Sequence, residues 1–383
     1  MDVRFLSSIR DIAPEHWNSL LGCDYPFLQH AFLLALEESG SVCAESGWQP
    51  CHLILEQGGI LEAGLPLYLK NHSWGEYVFD WSWAEAYQRI GQPYYPKLVS
   101  AVPFTPASGP RLLTADHADR HQVAQASITA IQAYAIDIQA SGLHLLFPSH
   151  YDDTLLREQP LQRRTGTQFH WYNQRYQSFD HFLQQLSSRR RKAIKKERAR
   201  AQSQGFTMTM QPGSELSEQF WDDFYLLYHR TYLKRSGGTG YLNRAFFQQI
   251  AETMADQLLM ATAIQDGELI AAALFFRDRD NLYGRYWGAR QEFDGLHFEL
   301  CYYLGIEYAI REQLDRFDAG AQGEHKIKRG FEPVETCSYH WLADPRFDQA
   351  IDAFLSEEHR LNKLYMADAR NHLPYKHLKS CQL

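Results

Sequence analysis

The sequence predicts an α/β protein with a mixed sheet, divided into two domains. In the second half of the chain a helix, a hairpin, a strand, a loop, a second helix and a further strand follow one another, an order typical of one mixed α/β unit. The first half repeats the strand-and-hairpin plan on a smaller scale. Two domains also suit the length of 383 residues. We expect the first domain at residues 1–150, the second at 151–345, and a helical tail at 346–383 that packs back onto the body.

Glycines set the limits of the elements in the first half. Gly58 and Gly59 tolerate positive φ and separate two alternating apolar segments, so they predict a hairpin. Gly142 follows a segment with helical periodicity and is expected to end it. The elements are therefore expected as a helix at 31–39, strands at 51–56 and 60–70, a helix at 121–141 and a short buried strand at 143–148.

Apolar periodicity defines the second half in the same way. Gly205 is expected to close one long basic helix, and Asp266 with Gly267 to form the turn of a hairpin. The helices are expected at 179–204, 220–234, 244–257 and 297–313. The strands are expected at 206–211, 258–264, 269–276, 281–288 and 317–319.

Composition narrows the class of protein. Apolar residues make up 45% of the chain and charged residues 22%, so packed cores are expected rather than disorder. The net charge of -8 argues against a protein that covers nucleic acid or anionic membrane with its whole surface. No segment reaches the roughly 18 uninterrupted apolar residues of a membrane helix, and residues 1–10 lack the apolar core of a signal peptide. We expect a cytoplasmic protein without an integral membrane segment.

The six cysteines are scattered along the chain and form no CxxC pair. This spacing suits a reduced compartment and argues against a disulfide framework or a zinc knuckle. We therefore expect no metal site. The sequence leaves open whether the protein is a monomer or a homodimer.

The run from Phe317 to Phe331, named here the charged glycine loop, is the strongest candidate for a functional site. It packs three glycines, two carboxylates, a histidine and three cations into fifteen residues. Glycine lets backbone approach a ligand, and charged groups set between apolar elements are costly to bury unless they are paired or used. The alternative is a solvated turn that carries ordinary surface charges.

Residues 72–95 form an aromatic segment that surrounds one carboxylate, Asp80. Aromatic neighbours can raise the pKa of a carboxylate and make it a base. They can also line a pocket for a sugar or an acyl chain, for which Trp81 is a candidate. The alternative is an aromatic core in which Asp80 caps the helix that follows it.

A cluster of cations lies on the long helix of the second half. Eight cations stand against one acid between Ser188 and Arg200, which spreads charge around most of the helix. The cations could bind the phosphates of tRNA, of a nucleotide-linked precursor or of an anionic lipid. The alternative is a solubilising helix that pairs with acidic neighbours. The phosphate-binding candidates are Arg189, Arg190, Arg191 and Lys192.

The order of elements in the second half is also the layout of the GNAT acyltransferase superfamily. Over nearly the whole chain, the sequence resembles the FemAB-like predicted N-acyltransferases of the peptidoglycan biosynthesis and recognition type. Three segments carry this resemblance: Tyr77–Trp81 with Tyr94–Leu98, Pro103–Pro106 with Gly109, and Gly320–Lys326 with Arg329–Phe331. The resemblance implies two tandem GNAT-like domains.

The resemblance further implies an N-acyltransferase that moves an acyl or aminoacyl group from an activated carrier to an amine by direct attack. The acceptor would be the amine of a small molecule or of a peptidoglycan precursor. Acyl-CoA and aminoacyl-tRNA are both open as donors. Enzymes that use acyl-CoA hold its pyrophosphate on a glycine-rich loop at a helix N-terminus, whereas residues 289–297 contain one glycine and two carboxylates.

Two other functions stay open. One is a Fem-type peptidoglycan aminoacyltransferase that depends on aminoacyl-tRNA, in which case tRNA is a partner. The other is a non-catalytic module that recognises peptidoglycan or its precursors through the aromatic segment and the basic helix.

For this implied reaction, the residues themselves supply candidates for each role. Amide formation needs a base for the ammonium proton, and donors or a cation for the developing oxyanion. The candidate bases in the charged glycine loop are Glu324 and His325. Asp80 of the aromatic segment is the third catalytic candidate. The candidates for substrate binding are Lys326, Arg329, Gln322, Tyr286, His297 and Trp81.

Overall fold

The structure, a computed structural model, describes residues 1–321 and 323–376. The chain forms two compact units, and each unit combines segments that are distant in sequence. Unit 1 comprises Met1–Gly166 and Glu335–Lys363, and unit 2 comprises Thr167–Val334 and the segment that begins at Leu364. This division differs from the boundaries expected at residues 150 and 345, because the chain returns to unit 1 after unit 2 has been built.

Unit 1 contains strands of two sheets. The first sheet is antiparallel, with the spatial order Asp2–Leu6, His52–Gln57, Ile60–Leu65 and Leu113–Thr114. In the second sheet, the unit 1 part of Glu332–Leu342 is followed in space by Gly142–Leu146, Lys97–Ser100, Tyr68–Lys70 and Trp48–Pro50. The predicted hairpin is present, since Gln57 pairs with Ile60 around Gly58 and Gly59.

Helices cover these sheets. They are Pro14–Ser19, His30–Glu38, Trp81–Arg89, Arg120–Asp137 and His150–Leu156, while Asp348–Asn371 begins in unit 1 and ends in unit 2. The helix Arg120–Asp137 buries Val123 and Ile128 in one cluster with the strand residues Leu55 and Leu143. This cluster is one hydrophobic core of unit 1.

The helix expected at 121–141 ends earlier than predicted, at Asp137. The chain leaves it through Gln139, which has a φ of 56°, and Gly142 is already the first residue of a strand. A Cβ at position 142 would lie 2.2 Å from the carbonyl oxygen of Trp341. Gly142 is therefore required by close approach of two strands, and the prediction that it stops a helix was wrong.

Unit 2 is built on one sheet with helices packed against it. The strands follow the spatial order Thr207–Pro212, Leu258–Gln265, Glu268–Arg277, Asn281–Ala289, Arg316–Asp318 and the unit 2 part of Gln162–Tyr172. The helices are Phe179–Gln185, Ser188–Gln202, Glu218–Ser236 and Arg244–Thr253, followed by Leu296–Phe298, a π-helical turn at Glu299–Tyr303, and Leu304–Arg311. A 3₁₀-helix spans Glu324–Arg329.

The single long helix expected at 179–204 is two helices. Leu186 has extended backbone, with a φ of -82° and a ψ of 153°, and forms an isolated antiparallel bridge with Tyr375. The Ser187 N–H donates to the carbonyl oxygen of Pro374 at 2.8 Å. Because Leu186 and Ser187 bond to this other segment, the first helix ends before them and a new helix begins at Ser188. The second piece, Ser188–Gln202, carries the cations and is named here the basic helix.

A break in strand pairing positions the candidate site. Leu274 pairs with Tyr286 but Phe275 pairs with Gly284, so Arg285 is an extra residue that bulges out of the ladder. Asn281–Ala289 also pairs in parallel with Arg316–Asp318, and this register extends only from Asn281 to Tyr283. The two strands therefore separate after Tyr283, just before Arg285.

Candidate functional site

A cavity of about 300 Å³ opens in unit 2 beside the bulge at Arg285. Its walls come from the strands Glu268–Arg277 and Asn281–Ala289 and from the start of the helix that follows them. The polar and aromatic residues that line it are Thr231, Tyr232, Phe275, Arg285, Tyr286, Trp287, His297, Cys301 and Tyr302. A concave pocket with a few convergent polar groups is the usual form of a ligand site.

A buried ion pair forms one wall of this cavity. One guanidinium nitrogen of Arg285 lies 2.7 Å from Oδ2 of Asp318, and the other lies 3.3 Å from Oδ1. Both side chains are almost fully buried. Burial opposes the charge of Asp318, but Arg285, with His170 beside it, holds the pKa of this carboxyl well below its usual range. The pair is therefore ionised and fixed.

Lys326 is buried next to this pair. Its ammonium group donates to the carbonyl oxygen of Gly320, while the Gly320 N–H donates to Asp318 at 2.8 Å. Burial, the main cause, lowers the pKa of Lys326 to about 8; the charge of Asp318 raises it, and that of Arg285 lowers it. Lys326 thus titrates close to neutral pH, a property that clusters at functional sites.

His325 reaches the cavity through a tyrosine. Its Nε2 shares a hydrogen bond of 2.8 Å with the hydroxyl of Tyr302, which lines the cavity. Burial lowers the pKa of His325, and the charges of Arg329 and Lys326 lower it further. A neutral imidazole at this position can accept a proton from the tyrosine hydroxyl.

The other predicted base, Glu324, lies elsewhere. Its carboxylate is exposed and accepts a hydrogen bond of 2.9 Å from the hydroxyl of Tyr365. Neither Glu324 nor His325 lines the cavity itself. The difference is that His325 bonds to Tyr302, which does line it, whereas Tyr365 does not. The motif alone could not distinguish Glu324 from His325, but the structure gives them different hydrogen-bond partners.

Arg329 is buried in a network of its own. Its guanidinium donates to Glu197 at 2.8 Å, to the hydroxyl of Tyr303 at 3.1 Å and to the carbonyl oxygen of His325 at 2.8 Å. It also lies over the ring of Phe298, 3.5 Å from the centroid. These contacts hold the 3₁₀-helix in place, so Arg329 supports the loop that carries His325 and Lys326.

Two other predicted substrate-binding residues, Tyr286 and His297, do line the cavity. His297 packs edge-on against the ring of Trp287, with the centroids 5.2 Å apart. Gln322, the remaining candidate from the charged glycine loop, lies outside the described residues.

A second cavity, of about 760 Å³, shares three lining residues with the first: Thr231, Trp287 and His297. Its wall also carries three cations, Arg230, Lys234 and Arg290. Lys234 pairs with Glu292 at 2.5 Å, and Arg290 pairs with Glu268. Both carboxylates of residues 289–297 are thus paired with cations, Glu292 with Lys234 and Asp294 with Arg200.

The basic helix divides into two groups of cations. Arg198 binds Glu299 and Glu307, Arg200 binds Asp294, and Lys195 binds Asp180. The other group is the set of predicted phosphate-binding residues, Arg189, Arg190, Arg191 and Lys192. No ion pair is found for them within the described part of the chain. The first turns of the helix therefore present unneutralised positive charge.

Asp80 lies in unit 1 and is not a lone carboxylate. Lys97, itself buried, bonds to it, and the Tyr94 hydroxyl donates to it at 2.6 Å. Burial opposes ionisation, but the charge of Lys97 lowers the pKa of Asp80 to about 2. The expectation that aromatic neighbours raise this pKa was wrong because Lys97 was not recognised as a partner. Asp80 stands at the N-cap position of the helix Trp81–Arg89 without a side-chain capping bond, and Trp81 is partly exposed.

Arg285, Cys301 and Tyr302 were not among the residues predicted from the sequence, although they line the cavity. One signal was available, since His297 and Cys301 are four residues apart and share a helix face. Arg285 gave no such signal, because a bulge cannot be read from strand alternation. Within the described residues no cluster of metal-ligating side chains is found, and no described helix is long and apolar enough to cross a membrane.

The structure has the α/β fold with a mixed sheet that the sequence predicted. It is similar to FemX, with a TM-score of 0.53 and 11% identity over 92% of this chain and 100% of that one. It is also similar to the C-terminal domain of a putative lysylphosphatidylglycerol synthetase from Agrobacterium fabrum, with a TM-score of 0.54 and 10% identity over 89% and 94% of the two chains. A third structure, a conserved protein of unknown function from Bacteroides thetaiotaomicron, has a TM-score of 0.51 and 12% identity over 88% and 99%.

The sequence itself identifies the family. The profile of the FemAB-like family, described as peptidoglycan biosynthesis/recognition, matches residues 8–377. The chain belongs to this family. No curated protein sequence matches it. The family description connects the chain with the biosynthesis or recognition of peptidoglycan.

Proposed function

We propose that unit 2 is an N-acyltransferase that moves an acyl or aminoacyl group from an activated carrier to an amine by direct attack. The observation that carries this proposal is the cavity at the Arg285 bulge. Tyr302 lines this cavity and is hydrogen-bonded to His325. Arg285 brings positive charge to the cavity, and Tyr302 links the cavity to a proton acceptor, His325, that lies outside its lining. These are the protein groups that amide formation requires.

His325 is the proposed base, acting through Tyr302. The acceptor ammonium gives a proton to the Tyr302 hydroxyl as that hydroxyl gives its own proton to Nε2 of His325. The free amine then attacks the acyl carbon. As the tetrahedral intermediate collapses, the carrier leaves with the bonding electron pair and takes up the second proton of the attacking nitrogen. The lowered pKa of His325 favours the neutral imidazole that this role needs. Glu324 is the weaker candidate because Tyr365 holds it at the surface.

Positive charge for the developing oxyanion comes from Arg285 in this proposal. Its guanidinium lines the cavity and is fixed by Asp318, so it needs no reorganisation during the reaction. Lys326, beneath the same pair, adds a second cation when it is protonated. Arg329 is proposed to hold the loop in place rather than to bind substrate, because its guanidinium already contacts four groups.

The second cavity is the proposed site of the carrier. Its cations are Arg230, Lys234 and Arg290. They suit a phosphate-bearing molecule such as CoA or the acceptor end of tRNA, provided that Lys234 and Arg290 exchange Glu292 and Glu268 for the phosphate. One observation favours the Fem-type alternative, in which the donor is aminoacyl-tRNA. The unneutralised start of the basic helix, Arg189 to Lys192, offers a further phosphate contact that a compact donor does not need.

Thermal melting against candidate donors tests the proposal. A ligand that binds only the native state must raise the midpoint of unfolding. We expect a shift with acetyl-CoA, a longer acyl-CoA or aminoacyl-tRNA, and new amide product by mass spectrometry when that donor is combined with a muropeptide precursor. A shift with the precursor alone, and no product with any donor, would contradict transfer and favour the recognition module.

A further inference from the structure

Unit 1 exposes large aromatic side chains on one loop, residues 72–81, named here the aromatic loop. Trp74 is 58% exposed, Phe79 55% and Trp81 39%. The rings of Trp74 and Trp81 meet edge to face, with centroids 5.2 Å apart. Single exposed apolar residues are common, but an exposed cluster of them marks an interaction surface.

Two buried lysines fix the conformation of the aromatic loop. Lys70 donates to the carbonyl oxygen of Trp74 at 3.2 Å, and Lys97 donates to Ser73 at 2.9 Å and to Glu76 at 2.8 Å. Burying an ammonium group is costly unless its hydrogen bonds are satisfied, and here the loop satisfies them. A loop that is ordered before its partner arrives pays less entropy on binding.

The exposed apolar surface continues onto the last helix, Asp348–Asn371. The guanidinium of Arg164 donates to the carbonyl oxygen of Phe79 at 2.8 Å and lies 6.0 Å from the ring centroid of Phe354. Phe354 is exposed, and so is Leu361, which lies seven residues later on the same helix face. We name these two side chains and the exposed aromatics of the loop the apolar patch.

A groove of about 700 Å³ lies beside the aromatic loop. Trp81 lines it, and so does Tyr95, whose hydroxyl shares a hydrogen bond of 2.9 Å with Ser73 of the loop. Among the described residues that line the groove, Glu85 alone is charged. A projecting aromatic cluster and a groove therefore lie side by side on unit 1.

The charged groups of the two helix segments at this surface are paired. The segments are Trp81–Arg89 and residues 354–361, and the pairs are Glu85 with Arg89, Glu357 with Arg360, and Glu358 with Arg164. The whole chain has a net charge of -8, so two copies repel each other over most of their surface. That repulsion is least at a locally neutral surface, which also gives no electrostatic attraction to a charged partner or an anionic membrane.

We propose that the apolar patch and the groove form a two-fold interface with a second copy of this chain. In a two-fold interface the same surface serves both partners, so it must be complementary to itself. A projecting cluster beside a groove meets this condition, because Trp74 and Phe79 of each copy can enter the groove of the other. Aromatic residues are enriched, and charged residues depleted, at the core of protein interfaces.

This inference goes beyond acyl transfer and is tested without donor or acceptor, by sedimentation velocity of the full chain. We expect the wild-type protein to pass from monomer to dimer between about 1 and 100 µM, the range of a modest interface. Trp74→Ala and Phe79→Asp should each raise the dissociation constant on the order of tenfold or more. The matched control is Tyr151→Ala, since Tyr151 is an aromatic of the same unit, 50% exposed and outside the groove. It should dimerise as the wild type does.

A charge placed in the groove tests whether the aromatic cluster enters it. Gln88 is exposed and lines the groove. Gln88→Lys should weaken the dimer as Phe79→Asp does, because each puts an unpaired charge into the contact. An equimolar mixture of these two variants should associate more tightly than either alone, since opposite charges then face each other. A variant that is merely misfolded gives no such recovery.

Three results would overturn the inference. The first is a wild-type protein that stays monomeric up to about 100 µM while its thermal unfolding is cooperative. The second is a dimer that Trp74→Ala and Phe79→Asp both retain in full, which would place the interface elsewhere. The third is a monomeric wild type that sediments with phosphatidylcholine vesicles, with this binding lost in Trp74→Ala, which would assign the apolar patch to a lipid surface.

Discussion

Arg285 and Asp318 form a buried ion pair across the point where two parallel strands part. The guanidinium-to-carboxylate distance is 2.7 Å, and the backbone carbonyl of Asp318 accepts a further bond from Arg285 at 3.3 Å. Asp318 lies in register with Tyr283 on one side and His170 on the other. The bulge turns Arg285 toward this carboxylate, and the opening that results is the cavity.

Removing one partner of this pair should destabilise the protein strongly. Asp318→Asn leaves a buried guanidinium without its counter-charge, which is expected to cost about 3–5 kcal/mol of unfolding free energy. Urea denaturation followed by circular dichroism measures this loss. The double variant Arg285→Met with Asp318→Leu should lose less than Asp318→Asn alone, because no unpaired charge remains.

The control for this experiment is an exposed pair. Glu357→Gln breaks the contact of 2.7 Å between Glu357 and Arg360 on the surface of the last helix. Exposed ion pairs contribute little, so the urea midpoint should stay at the wild-type value. Equal losses from Asp318→Asn and Glu357→Gln would show that the Arg285–Asp318 pair is not desolvated in solution.

The lowered pKa of Lys326 predicts how stability depends on pH. Between the folded pKa of about 8 and the unfolded pKa of about 10.4, the unfolded chain binds more protons than the folded one. Stability should therefore rise with pH across this window, and the cost of protonating Lys326 should be fully present below pH 8. Urea midpoints measured from pH 7 to pH 10.5 test the sign.

Lys326→Met is the matched variant for this pH series. It removes the titrating group while keeping an unbranched side chain of similar length. The rise in stability between pH 8 and 10.4 should flatten in this variant. A rise of the same size in both proteins would assign it to another group.

Much of the fold could be predicted because its elements obey local rules. The hairpin Leu258–Gln265 with Glu268–Arg277 follows from apolar alternation around Asp266 and Gly267. The strand Gln162–Tyr172 was not predicted, because Arg163 and Arg164 interrupt its pattern. These charges are neutralised by residues far away in sequence: Arg163 by Glu335, and Arg164 by Glu358. Such partners are visible only in three dimensions.

The candidate site shows the same limit. Its location near His325 and Lys326 follows from the glycines and charges of one short run. The choice of His325 over Glu324 does not, because it depends on Tyr302 and Tyr365, which lie on two other elements. The cation of the cavity, Arg285, depends on a bulge that a one-dimensional pattern does not record.

His325→Gln should abolish most of the turnover. The variant removes a base whose loss typically costs about 10²–10⁴-fold in rate, while KM should change little because His325 is proposed to move a proton rather than hold substrate. Tyr302→Phe breaks the connection of 2.8 Å and should lower kcat by a similar factor. Steady-state kinetics with the donor identified by thermal melting measures both.

Glu324→Gln is the control for the proton path. Its carboxylate contacts Tyr365 at the surface, so kcat should remain near the wild-type value. The double variant His325→Gln with Tyr302→Phe should be no slower than the more damaged single variant, since both act in one step. A collapse of kcat in Glu324→Gln, with His325→Gln active, would reverse the assignment.

The start of the basic helix should matter for a tRNA donor and not for stability. Changing Arg189, Arg190, Arg191 and Lys192 to glutamine removes four positive charges for which no ion pair is found among the described residues. Each lost phosphate contact should reduce the slope of log affinity against log salt by about 0.7–0.9. Filter binding of aminoacyl-tRNA between 50 mM and 200 mM salt measures this slope.

The same helix provides the matched control, Lys195→Gln with Arg200→Gln. Both residues are cations on the basic helix, but Asp180 and Asp294 already neutralise them. The salt slope of this variant should equal that of the wild type, because no phosphate contact is lost. If both variants weaken tRNA binding equally, net charge rather than a defined phosphate contact drives the interaction. If neither changes it, the basic helix is not the tRNA site and the compact donor, acyl-CoA, is favoured.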